Sequence, residues 1–137
     1  MGLYLAVFDG DEELDGVEVG SYDDFSWFRN TVVDLLESGV AGARFPTLIL
    51  HSDCDGQWSR SEAAALEVEL SEISQEFKAL PSITYNSSWQ CEAASMFGIK
   101  ATNLHDCFFD VDGEPLLDRL ISLARMSQDR NLPILFQ

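Results

Sequence analysis

Basic residues are scarce in this 137-residue sequence. It contains 8 Lys and Arg residues against 24 Asp and Glu residues, which gives a formal net charge of −16. Binding to nucleic acid or to an anionic membrane is therefore not expected, because both depend on clustered Lys and Arg side chains. No apolar run approaches the roughly 20 residues that a membrane-spanning helix needs, and the first residues lack the basic segment of a signal peptide.

Cysteine is scarce as well. Cys54, Cys91 and Cys107 make an odd number in a chain that is 46% hydrophobic, so a reduced, cytoplasmic protein is expected and a disulfide framework is not. The length fits one domain spanning residues 1–137. The apolar content is also too high for a disordered acidic tail.

Acidic residues, by contrast, are abundant near the N-terminus. The first Lys or Arg in the chain is Arg29, and eight acids precede it: Asp9, Asp11, Glu12, Glu13, Asp15, Glu18, Asp23 and Asp24. A charge of this size costs stability through self-repulsion. Either these acids serve solubility alone or they meet a basic partner, and composition does not separate the two explanations.

Hydrophobic patterning predicts an α+β fold (or a small α/β fold), with one sheet of about four or five short strands and about three main helices packed on it. Strands are expected at Leu3–Phe8, Thr47–Leu50 and Pro133–Phe136. Asp9–Gly20 is expected to be a loop in which only Val17–Val19 has strand character.

Helix starts are signalled by local capping patterns. Ser21 with Asp24, and Ser59 with Glu62, have the spacing of capping boxes, and apolar residues at helical spacing follow each. The acidic residues of the second helix, Glu67–Glu76, are expected to be solvated. Two further helices are expected, at Trp89–Phe97 and directly after Pro115.

One segment resembles a catalytic motif. Residues 108–116 resemble the first motif of haloacid-dehalogenase-type phosphatases, in which Asp110 would be the nucleophile and Asp112 the general acid. Glu114 stands where that motif has Thr, and too little chain follows for the remaining motifs. In the other interpretation, Asp112 caps a helix and Gly113 permits the turn.

Metal-ligand residue types are present without the spacing of a metal site. Asp9, Asp53 and Asp110 each begin an Asp-x-Asp pattern, but none has Gly at the sixth position of a calcium loop. Residue types that bind zinc or form a Cys–His nucleophile pair are also present, and these residues are His51, Cys54, His105 and Cys107. Their spacing in the sequence favours neither kind of site. No catalytic, cofactor or metal residue is assigned, and an acidic divalent-metal-binding domain or a hydrolase using Asp110 and Asp112 stays as an alternative.

Trp58 is the tryptophan most expected to be exposed, because it lies in a polar turn with Gly56 and Gln57. An exposed Trp is a typical anchor of a protein–protein interface. Packing of its ring over the N-terminus of the following helix is the favoured alternative.

Several segments, taken in order, resemble the immunity protein 70 family of bacterial polymorphic-toxin systems. These segments are Met1–Phe8, Val19–Tyr22, Phe45–Gly56, Phe109–Leu116 and Leu132–Gln137. The resemblance implies a small cytoplasmic protein, encoded beside a secreted toxin, that protects the producing cell by binding the toxin domain. It implies no catalytic residues.

Charge and resemblance together predict an immunity protein that neutralises a basic toxin domain, such as a nuclease, by stoichiometric binding and active-site occlusion. The expected partner is the C-terminal domain of the cognate toxin, with no nucleic acid and no membrane. The residues predicted to contact it are Asp9, Asp11, Glu12, Glu13, Asp15, Asp53, Asp55 and Trp58.

Overall fold

A β-hairpin begins the chain in the computed structural model, which describes residues 2–52, 56–85 and 87–137. Strand β1 (Gly2–Asp9) pairs antiparallel with strand β2 (Glu12–Ser21), and the two are joined by a tight turn. The loop predicted at Asp9–Gly20 is therefore wrong for most of its length. Acidic residues and glycines have low strand propensity, but pairing with the apolar strand β1 outweighs it.

The hairpin is half of a sheet that is completed by one strand near the C-terminus and one from the middle of the chain. Strand β4 (Ile134–Phe136) pairs antiparallel with β1, and strand β3 (Gln57–Trp58) pairs antiparallel with β4. Across the described ranges the sheet has four strands in the order β2-β1-β4-β3. The C-terminal strand is confirmed, and with the helices below the α+β fold is confirmed too.

A short helix replaces the strand predicted at Thr47–Leu50. Helix α2 (Pro46–Ile49) begins with a proline, which is pre-organised for the first helical position. The Glu69 carboxylate accepts hydrogen bonds from the amides of Thr47 (3.2 Å) and Leu48 (3.1 Å), so the helix start is satisfied from outside. The strand prediction fails because this partner lies about twenty residues further along the chain.

The other helices follow the predicted pattern closely. Both predicted capping boxes form, with Ser21 before helix α1 and Ser59 before helix α3. Helix α4 ends at Gly98, which has φ +68° as a left-handed cap requires. The bounds are α1 (Tyr22–Leu36), α3 (Arg60–Lys78), α4 (Ser88–Phe97) and α5 (Leu116–Arg130), and a short 3₁₀ helix spans His105–Cys107.

The core lies between the helices and one face of the sheet. Alternate β1 residues Leu3, Leu5 and Val7 are fully buried in it. The Phe28 ring of α1 is central, with edge-on contacts to the rings of Phe77 and Phe108. Over the part of the chain that the structure describes, no helix is both long and apolar enough to cross a membrane.

Candidate functional site

Four carboxylates lie together at the turn of the hairpin. Asp9 ends β1, Asp11 is in the turn, and Glu12 and Glu13 begin β2; all four side chains are exposed. Gly10 takes φ +63°, a conformation that favours glycine, and the strand register sets Asp9 opposite Glu12. Half of the predicted contact residues thus share one end of the sheet. We call these four residues the hairpin carboxylates.

Asp15 is on the same strand but faces the helices. Its carboxylate oxygen Oδ1 lies 3.2 Å from Nη2 of Arg119 on α5, and the same nitrogen donates to the carbonyl of Gly16 at 2.7 Å. Burial opposes the charged form of Arg119, but the carboxylates of Asp15 and Asp110 raise its pKa. The charge of Asp15 is therefore balanced inside the molecule.

Trp58 is buried, so the interpretation as an exposed interface anchor is wrong and the ring is packed, as the favoured alternative has it. Only 1% of the residue is exposed, because the short strand β3 directs its side chain to the core face of the sheet. The indole nitrogen donates to the carbonyl of Thr47 at 3.0 Å, and the ring contacts those of His51 and Phe136. Two other predicted contact residues, Asp53 and Asp55, lie outside the described residues, as does Cys54.

The phosphatase-like segment forms a closed turn. Asp110 is 1% exposed, and its carboxylate accepts hydrogen bonds from the amides of Asp112 (2.9 Å) and Glu114 (3.0 Å). Gly113 permits the turn with φ +82°, as expected. The expected cap by Asp112 is wrong, since α5 has no side-chain cap and Asp110 makes the hydrogen bonds instead.

A shallow cavity of about 220 Å³ lies beside this turn. Its lining includes Phe108, Phe109 and Pro115, but not Asp110. A nucleophile must reach the bound substrate. The arrangement in this structure therefore gives Asp110 the role of holding the turn rather than of attacking a ligand in the cavity.

Among the described residues, the histidines and Cys107 lie in different environments. His105 is buried and its Nε2 lies 3.3 Å from the carboxylate of Asp118, whereas the His51 ring stacks on Phe136. Burial raises the pKa of the Cys107 thiol, which opposes the thiolate that a nucleophile needs. Within residues 2–52, 56–85 and 87–137, no group of three or more His, Cys, Asp or Glu side chains could hold a metal ion.

Every Lys and Arg lies outside the strands. Several are held by the helical layer: Arg44 pairs with Glu76 at 2.7 Å, and Arg125 pairs with Glu67 at 2.7 Å. The acids on α3 are thus partners of specific groups, so their expected role as a merely solvated face is wrong for Glu67, Glu69 and Glu76. The sheet side keeps its carboxylates without any strand cation to balance them.

Tyr4 is a residue of this surface that the sequence did not single out. Its hydroxyl donates to Glu13 at 2.7 Å. Burial, the hydrogen bond to Glu13 and the nearby charges of Glu13, Asp15 and Glu18 raise the pKa of Tyr4 to about 12. The sequence signal that could have identified Tyr4 is the alternation of side chains along a strand, which places Tyr4, Ala6 and Phe8 on the face opposite Leu3, Leu5 and Val7.

Fold and surface together define an acidic α+β protein whose hairpin has exposed carboxylates around its turn and no Lys or Arg on its strands. The chain belongs to the immunity protein 70 family, whose model, Immunity protein 70, matches residues 3–136. No curated protein and no solved structure matches it. The resemblance found in the sequence is confirmed, and membership supports an immunity function with a cognate toxin protein as partner.

Proposed function

We propose that this protein neutralises its cognate toxin by stoichiometric, non-catalytic binding that covers the toxin's active site. The toxin domain is basic, as a nuclease is, and the complex forms in the cytoplasm of the producing bacterium. The observation that carries this proposal is the surface of the hairpin, which presents four exposed carboxylates around its turn and has no Lys or Arg on its strands. Family membership supplies the immunity function itself.

Electrostatics explain why such a surface suits a basic cleft. Nuclease domains bind phosphates with clustered Lys and Arg side chains, and a carboxylate cluster is attracted to the same groups. Charges at the rim of an interface mainly raise the association rate and its salt dependence. We therefore assign the hairpin carboxylates to the capture of the toxin domain, while Asp53 and Asp55 stay predicted contacts.

Charge reversal tests this assignment. We expect the triple variant Asp9→Lys, Asp11→Lys, Glu12→Lys to associate about tenfold or more slowly with the inactivated toxin domain encoded beside this gene, because steering is lost. Glu13 is left in place because it holds Tyr4. Stopped-flow fluorescence over a series of salt concentrations measures both the rate and its salt dependence.

A matched control separates local from global charge effects. Asp34, Glu92 and Asp129 are exposed acids on three helices, and changing all three to Lys alters the net charge by the same amount. We expect this control to keep most of the association rate. Equal rates for both triple variants, or an unchanged rate for the hairpin variant, would contradict the role of the hairpin carboxylates.

A further inference from the structure

We infer that the toxin contact continues from the hairpin onto the sheet face opposite the core cluster, where Tyr4 and Phe8 anchor a basic surface of the toxin domain. This inference rests on the proposed function and names the binding surface within it. We call this surface the open sheet face. It consists of Tyr4, Phe8, Glu13, Gly16, Glu18 and Leu135.

Strand register places these residues on one side of the sheet. Because successive side chains alternate, Tyr4 and Phe8 point away from the face that carries Leu3, Leu5 and Val7. Across the hairpin, the register pairs residues of the open sheet face with one another. These pairs are Tyr4 with Glu18 and Phe8 with Glu13, and the buried Ala6 lies between Gly16 on β2 and Leu135 on β4.

Burial shows that the open sheet face is apart from the core. Tyr4, Phe8 and Leu135 are half-buried, and none of them packs against the core cluster, which takes Ile134 and Phe136 from the same strand β4. Large apolar side chains in this position add contact area to an interface. The sheet thus presents aromatic surface directly beside the hairpin carboxylates.

Tyr4 is held in place before any partner arrives. Its ring lies across Gly16, where a Cβ atom would collide with the Tyr4 hydroxyl. The hydroxyl donates to Glu13, which fixes the ring at the edge of the carboxylate cluster. A rigid aromatic side chain loses little conformational entropy on binding, which is the property of an interface anchor.

Two features select a cationic partner that docks face-on. An aromatic ring flanked by carboxylates, here Tyr4 with Glu13 and Glu18, suits Arg or Lys side chains through ion pairing and cation–π contact. Addition of a partner strand to β2 is obstructed, because the amide of Val111 donates to the Glu18 carbonyl and Arg119 donates to the Gly16 carbonyl. A second copy of this chain would bring like charges together.

Hydroxyl-radical footprinting tests the surface without any mutation. We expect the inactivated toxin domain to protect Tyr4 and Phe8 from oxidation in the wild-type protein. Met96 on α4, which is 79% exposed, serves as the internal control and keeps its oxidation rate. If the complex forms and Tyr4 and Phe8 are not protected, the inference is overturned. It is also overturned if the two residues are protected by self-association of this protein in the absence of the toxin domain.

A pair of variants measures the contribution to binding. We expect Phe8→Ala to speed dissociation from the inactivated toxin domain about tenfold or more, as loss of an interface anchor does. The control Val68→Ala removes a side chain that is 61% exposed on α3 and leaves dissociation unchanged. Thermal unfolding of both variants checks their folding, and if Phe8→Ala is unfolded, the wild-type footprint decides the question.

The two proposals fail in distinguishable ways. A complex that responds to charge reversal in the hairpin, but leaves Tyr4 and Phe8 unprotected, supports the proposed function and overturns the open sheet face. Native mass spectrometry that detects no one-to-one complex overturns the proposed function, and the inference with it.

Discussion

Buried carboxylates in this protein bind the main chain. Glu37 is 3% exposed, and it accepts hydrogen bonds from the amides of Gly42 (3.1 Å), Arg44 (2.8 Å) and Phe45 (2.9 Å). Asp24 likewise accepts from the Ser21 amide and from the indole nitrogen of Trp89. A buried charge is tolerated only when several donors satisfy it. Part of the large negative charge is therefore structural, and only the exposed part is available to a partner.

The titration of Tyr4 tests the environment that burial and the neighbouring carboxylates create around its hydroxyl. Its pKa of about 12, above the ordinary 10.0, means that the folded state favours the neutral phenol. The stability gained is fully present below pH 10 and is lost as pH rises towards 12. NMR of the tyrosine ring Cζ resonance, assigned by comparison with Tyr4→Phe, measures this pKa.

Glu13 provides the matching control for Tyr4. Its hydrogen bond and its charge both favour the neutral phenol, so we expect Glu13→Gln to lower the Tyr4 pKa. Glu12→Gln removes a neighbouring exposed charge that makes no such hydrogen bond to Tyr4, and it should have a smaller effect. A Tyr4 pKa that does not respond to Glu13→Gln would contradict the assigned cause.

Helix α2 shows how one element depends on another. It has only four residues, too few to be stable alone, and no side chain at its own N-cap makes a hydrogen bond. The Glu69 carboxylate on α3 supplies that cap. Arg29 on α1 donates to the carbonyls of Leu48, Ile49 and His51 at the other end. Both ends of α2 are thus satisfied by charged groups of longer helices.

Removal of the external cap is expected to destabilise the protein. Glu69→Ala leaves two amides of α2 without their acceptor, and the loss should be about 1 kcal/mol, as for an ordinary N-cap. Urea unfolding followed by circular dichroism measures the free energy of unfolding. Glu92→Ala removes an exposed acid on α4 and should change the stability much less; equal losses for both variants would contradict the role of Glu69 as the cap.

At the scale of the whole molecule, the net charge of −16 opposes the folded state. The eight Lys and Arg residues lie on helices and loops, so the charge is distributed unevenly between the helical layer and the sheet. The proposed function gives this distribution a role, since it assigns the exposed carboxylates of the hairpin to a basic partner.

Salt should therefore stabilise the free protein. Screening of like charges increases as the Debye length falls from about 30 Å at 0.01 M to about 10 Å at 0.1 M, so we expect the thermal unfolding temperature to rise with NaCl concentration. Differential scanning calorimetry measures it. The hairpin triple variant, which is less negative, should show a smaller rise, and a melting temperature that falls with added salt would contradict the account.

Local signals made part of the fold predictable. The capping boxes at Ser21 and Ser59 and the glycine that ends α4 are decided by residues within a few positions of one another. The hairpin carboxylates could also be predicted as a group, since they are adjacent in the sequence. Their arrangement on a strand turn could not, because it depends on pairing with β1.

The sequence by itself determined the acidic character, the capped helices, the apolar strands at both ends and the family resemblance, because each follows from composition or from neighbouring residues. Only the tertiary structure decided the burial of Trp58, the ion pair of Asp15 with Arg119 and the position of the half-buried Tyr4 and Phe8 opposite the core. Asp15 and Arg119 are 104 positions apart. Contacts of that range form only when strands and helices pack, and they determine which acids are free to bind.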